Sequence, residues 1–126
     1  MQKIIKNWLL PNSLFLAILC TVVIFVLSMI SPNRIPQPSL THIDKVEHTL
    51  AYATLSFLWF CFAKKNHVKF TYISILILLY GIIIEVVQAE YTTNRSGDLY
   101  DFIANAIGCA IGYLFFKLVD YLYLEV

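Results

Sequence analysis

The chain has 126 residues, of which 60% are hydrophobic and only 13% charged, and its formal net charge is +1. An ordinary soluble domain is about 25% charged, and a domain this small leaves much of its surface to the solvent. A soluble globular domain, a disordered segment and a nucleic-acid binder all fit such a composition poorly. The solvent that fits is a lipid bilayer.

A helix crossing a ~30 Å hydrocarbon core needs ~20 mostly apolar residues. The stretch 13–30 is uncharged, follows Lys3 and Lys6, and stands between Pro11 and Pro32, which predicts a helix over about 12–30. It is longer than a usual signal-peptide core, and no small-x-small cleavage site precedes Ser31, so it reads as a retained signal anchor. The segment 31–39 holds three of the four prolines and is expected to be extended and semi-rigid. A second apolar run, 49–63, reaches spanning length if its helix starts near Asp44, a candidate N-cap, giving a helix over about 44–63. The third run, 70–89, contains one acid, Glu85, and predicts a helix over about 68–89. The fourth, 99–119, predicts a helix over about 98–119 with Asp101 and Asn105 in its first turns. With no internal repeat or low-complexity tract, the expectation is an all-α, single-domain bundle of four transmembrane helices over residues 1–126.

Lysine and arginine in short loops mark the cytoplasmic side. Lys3, Lys6, Lys64, Lys65, Lys69 and Lys117 fall on one side, and Arg34, Lys45 and Arg95 on the other. Both termini are therefore expected in the cytoplasm. Cys20, Cys61 and Cys109 sit in apolar runs at different depths with no metal-ligand spacing, and read as small buried hydrophobes.

The polar residues in or near the apolar runs carry the functional signal. On the fourth helix Asp98, Asp101, Asn105, Gly108 and Gly112 recur at +3, +4, +3 and +4 and share a face. Gly108-x-x-x-Gly112 is a pattern that lets two helix backbones approach closely, within the bundle or between copies. The third helix offers Gly81, Glu85 and Gln88 on one face, and the second offers Asp44, His48 and Tyr52. Glu85 lies inside an apolar run, where a carboxylate costs a few kcal/mol and faces the bundle interior or a wet cavity. Arg95 precedes Asp98 by three residues, with Gly97 turning the chain into the fourth helix. His42 and His67 lack such company and read as loop residues. Asn94-Arg95-Ser96 matches a glycosylation sequon, a pattern too short to carry weight. The remaining groups fall at one depth, which predicts a polar pocket at the extracytoplasmic end of the bundle.

At these residues the chain resembles the VanZ-like family of small integral membrane proteins. The matching pieces are Asp44-Lys45-x-x-His48, Gly81-x-x-x-Glu85-x-x-Gln88 and Arg95-x-x-Asp98-x-x-Asp101-x-x-x-Asn105-x-x-Gly108, over about two-thirds of the chain. The resemblance implies a bacterial cytoplasmic-membrane protein. It carries these positions over as family-like site residues without catalytic roles. The family's name-giving member is associated with low-level resistance to the glycopeptide teicoplanin.

Three functions compete. In the first, the pocket binds an amphiphilic headgroup through Asp44, Tyr52, Gln88, Arg95 and Asn105, the ligand being a membrane lipid, a lipid-linked wall precursor or a glycopeptide antibiotic. In the second, an intramembrane hydrolase or transferase uses His48, Glu85, Asp98 and Asp101 on a lipid-linked phosphate or acyl group. Carboxylates with an imidazole also suit a divalent metal, with His48, Glu85 and Asp98 as the alternative ligand set, although no reaction or metal motif occurs. The third function is proton or ion movement through Glu85, opposed by the lack of a polar stripe continuing inward. The other structural glycines, Gly81, Gly108 and Gly112, are assigned to helix packing. Four helices suffice for one pocket, so oligomerisation is not required. The sequence assigns no cofactor.

Overall fold

A computed structural model describes residues 1–30, 41–91 and 99–124. Among them the chain forms four helices and no strand: α1 (Gln2–Met29), α2 (Thr41–Lys65), α3 (Phe70–Tyr91) and α4 (Leu99–Leu124). α1 begins at Gln2, well before the expected start near residue 12, because Pro11 does not interrupt it. A proline lacks the N–H and collides with the carbonyl four residues back. Here a π-helical turn, Ile5–Leu9, precedes the proline and widens the winding where the collision would fall. A second π-helical turn, Asp120–Leu124, carries α4 past residue 119.

Three helices, α1, α3 and α4, are long and apolar enough to cross a membrane. Only 17% of the most apolar stretch of α1 is buried inside the protein. Its Leu14, Phe15, Val22 and Phe25 face outward, as do Leu76, Ile83 and Val86 of α3 and Ile107, Leu114 and Phe115 of α4. An apolar belt of this extent is the surface of a membrane protein.

α2 has a different composition for a packing reason. Its 25 residues carry Asp44, Lys45, Glu47 and His48 at one end and Lys64 and Lys65 at the other. Its middle is covered by protein: Tyr52, Leu55, Phe60, Cys61 and Ala63 are buried. α2 packs most extensively on α4, then on α1, then on α3. It is the helix the others surround, so it needs less lipid-facing hydropathy.

α2 and α4 run parallel and in register. Lys45 pairs with Asp101 where the two helices start, and Lys64 pairs with Asp120 at 2.9 Å where they end, both across 56 residues of sequence. Between these ties the backbones come close at Gly108 and Gly112. A Cβ on Gly108 would meet the Thr49 carbonyl and, at 3.1 Å, the Ala53 nitrogen; one on Gly112 would meet Ser56 Oγ and the Ala53 carbonyl. Both glycines therefore face α2 of the same chain. Thr49 Oγ1 reaches the Ala104 carbonyl and Ser56 Oγ the Cys109 carbonyl, each at 3.3 Å.

α1 and α3 are joined by Tyr80 O–H donating to the Thr21 carbonyl at 2.7 Å and Gln88 Nε2 donating to the Ser28 carbonyl at 2.9 Å. Phe60, Phe70, Tyr113 and Phe116 form an aromatic cluster, with ring centroids 5.3–6.1 Å apart. The link from α2 to α3 turns through His67 at φ 55°, a left-handed residue just beyond a helix end. The three cysteines are free, with Cys61 and Cys109 buried and Cys20 half-buried.

Candidate functional site

The parallel arrangement brings the N-termini of α2 and α4 to one end of the bundle. Helix N-termini carry partial positive charge and favour acids in their first turns. Asp44 occupies that place on α2 and Asp101 on α4. α3 delivers Glu85 to the same end near its own C-terminus. The cluster is assembled from these three helices.

His48 stands at its centre. Its Nδ1 donates to Asn105 Oδ1 at 2.9 Å and lies 4.0 Å from Glu85 Oε1. Its Nε2 lies 3.7 Å from Asp44 Oδ1 and 4.0 Å from Asp101 Oδ2. The asparagine oxygen, which only accepts, fixes the proton on Nδ1 and turns Nε2 toward the two aspartates. Lys45 balances part of this charge. Its ammonium bonds Asp101 and lies 3.5 Å from Asp44 Oδ2, so one cation bridges the same two carboxylates. The charged groups described here are three acids and one lysine beside the histidine.

Burial grades across the cluster. The Asp44 side chain is 37% exposed, whereas those of His48, Glu85 and Asp101 are only 11–13% exposed. The cluster therefore opens toward Asp44 and closes toward α3. Beneath His48, Tyr52 and Asn105 are almost wholly buried, and Gly81 lies against both. Gln88 is buried nearby, but its amide donates to Ser28 and ties α1 to α3. Arg95 and Asp98 lie outside the described residues.

Among the described residues Asp44, His48 and Asp101 form a candidate cation-ligand set, with donor atoms within 4.8 Å of one another. An ion bound at ~2.1 Å holds its ligand atoms no more than about 4.2 Å apart, so the two histidine–aspartate distances fit. Of the set expected from sequence, His48, Glu85 and Asp98, only the first two lie among the described residues. Glu85 approaches Nδ1, the nitrogen engaged by Asn105.

Residues 13–120 match the VanZ/LLP1 family. The chain belongs to the VanZ/LLP1 family. No significant match was found among curated proteins or among solved structures. The matched region contains all of the His48 cluster, so the polar groups of this VanZ/LLP1 protein lie within its family domain.

Two participants are not prominent in the sequence pattern. Lys45 belongs to the Asp44-Lys45-x-x-His48 piece, and its pairing with Asp101 emerges only when α2 and α4 are laid side by side. The buried Asp120 carboxylate pairs with the more exposed Lys64 at the opposite end. The one signal for it in the sequence is an acid directly following an apolar run.

Proposed function

We propose that this VanZ/LLP1 protein is a multi-pass protein of the bacterial cytoplasmic membrane that binds the polar headgroup of a lipid-linked or amphiphilic ligand. In this reading α2 crosses the bilayer with the other three helices, both termini are cytoplasmic and the His48 cluster faces outward. The lysines at the other end, Lys3, Lys6, Lys64, Lys65 and Lys69, support that orientation.

The observation that carries the reading is a half-open group of three carboxylates and one histidine at a bundle end, matched by one lysine. Such a group suits a headgroup bearing amines and hydroxyls, which carboxylates accept from. Asp44 is the exposed contact, and Asp101 and His48 lie behind it. Arg95 and Asp98, in the segment leading into α4, would add a cation for a phosphate and a further acceptor. The ligand would be a membrane lipid, a lipid-linked wall precursor or a glycopeptide antibiotic. A link to teicoplanin resistance would follow from the family's name-giving member.

Titration of the purified protein with dihexanoyl phosphatidylethanolamine, dihexanoyl phosphatidylglycerol and teicoplanin tests the reading. Saturable binding of an amine-bearing ligand, weakened at least tenfold in Asp101→Asn, is expected. Binding that is unchanged across Asp44→Asn, His48→Ala and Asp101→Asn would remove the site. The oriented His48–Asn105 pair beside Glu85 favours a second reading, an intramembrane hydrolase or transferase with His48 as base. Turnover of a lipid-linked phosphate or acyl substrate that disappears in His48→Ala would support it.

A further inference from the structure

A cation beside a helix N-terminus stands on the unfavourable side of the helix dipole, so Lys45 calls for an explanation. It follows the first turn of α2, and its ammonium bonds Asp101 in the first turn of α4. Consecutive residues of a helix do not face each other, yet Lys45 Nζ also lies 3.5 Å from Asp44 Oδ2. The flexible four-carbon stem lets the ammonium reach both carboxylates.

Each aspartate divides its two oxygens between different neighbours. Asp44 Oδ1 and Asp101 Oδ2 face His48 Nε2, whereas Asp44 Oδ2 and Asp101 Oδ1 face the Lys45 ammonium. The second pair of oxygens forms a seat for one ammonium, and the lysine fills it. The wall and the occupant differ in exposure: the Asp101 side chain is 13% exposed and that of Lys45 is 31%. Lys45 therefore stands on the open side with Asp44, and rotation of its own side chain vacates the seat without moving a helix.

We infer that Lys45 is an internal stand-in for the ligand, and that a primary ammonium on the headgroup binds by displacing it from Asp44 and Asp101. The inference rests on the headgroup reading and narrows its ligand class. A lysine ammonium carries N–H donors and no acceptor, and a primary alkylammonium presents the same donors. A quaternary ammonium has no N–H to give and is a poor replacement. Two ammonium groups repel each other and cannot share one pair of oxygens, so the lysine must leave. The oxygens facing His48 stay as they are. Displacement also sets the affinity, because a ligand binds only the fraction of molecules whose seat is open. If Lys45 fills the seat in about nine molecules of ten, the apparent affinity is about tenfold below that of the open site.

The test is calorimetric titration of the full chain in detergent, wild type and Lys45→Met, with dihexanoyl phosphatidylethanolamine and dihexanoyl phosphatidylcholine. Lys45→Met should bind the ethanolamine lipid about fivefold or more tightly than the wild type does, with a smaller gain for the choline lipid. Wild-type binding of the ethanolamine lipid with no gain in Lys45→Met, or an equal gain for both lipids, would overturn the displacement and leave the headgroup reading standing. Binding of the ethanolamine lipid by neither protein would overturn both. A second measurement needs only the wild type. Acetylation by a water-soluble N-hydroxysuccinimide ester, read by mass spectrometry at Lys45 relative to the exposed Lys65, should speed up severalfold when the ethanolamine lipid saturates the protein. A Lys45 rate that is unchanged or slower in the bound protein would overturn the inference.

Discussion

Gly112→Ala should separate α2 from α4. The added methyl would collide with Ser56 Oγ and the Ala53 carbonyl and approach the Phe57 nitrogen at 3.1 Å. Ser56 can rotate away, but the other two atoms are backbone, so α2 itself must shift. Overpacking of this kind costs about 1–3 kcal/mol. The shift also stretches the bonds from Ser56 to the Cys109 carbonyl and from Thr49 to the Ala104 carbonyl, already 3.3 Å long and worth about 1 kcal/mol each. The better helix propensity of alanine returns about 1 kcal/mol. The net loss should be about 2–4 kcal/mol, a factor of roughly 30–700 in the unfolding equilibrium. Gly81→Ala meets only side-chain atoms and should change stability by no more than about 1 kcal/mol. Unfolding by sodium dodecyl sulfate in mixed micelles, followed by tryptophan fluorescence, measures both. A Gly112→Ala protein as stable as the wild type, or a Gly81→Ala protein weaker than Gly112→Ala, would refute the packing account.

Lys45→Met should cost about 1–3 kcal/mol, because it leaves Asp44 and Asp101 facing each other without their ammonium; adding Asp101→Asn should recover part of that loss in the same unfolding assay. At the other end, Lys64→Met strands the Asp120 carboxylate, whose side chain is only 3% exposed. It should be more damaging than Asp120→Asn, by about 2 kcal/mol or more. For sidedness, Glu47→Cys and Lys65→Cys place exposed thiols at opposite ends of α2. A membrane-impermeant maleimide applied to intact cells should label the first and spare the second, and the reverse pattern would invert the proposed topology.

Much of the fold is legible because a bilayer imposes few solutions: long apolar runs become helices, and their spacing sets their faces. α2 shows the limit of that reasoning. Its charges reduce its hydropathy, and its burial depends on neighbours that the run itself does not reveal. Pro11 shows another limit, since its effect was absorbed by local winding at Ile5–Leu9 instead of ending the helix. In the site, the residues on each helix were visible through their +3 and +4 spacing. The pairs between helices were not: Lys45 with Asp101, His48 with Asn105, and Tyr52 and Asn105 against Gly81 all depend on the register of α2 with α3 and α4. Asp120 was missed for the same reason, since its partner Lys64 lies on another helix.

The claim at the centre of the account is that the His48 cluster holds a polar headgroup. Native mass spectrometry of the purified chain with added dihexanoyl phosphatidylethanolamine or teicoplanin measures this directly. The account predicts a one-to-one complex in the wild type with at least one of these ligands. That complex should be lost in Asp101→Asn and His48→Ala proteins that keep their helical circular dichroism. Retention of the same complex by both folded variants would contradict it.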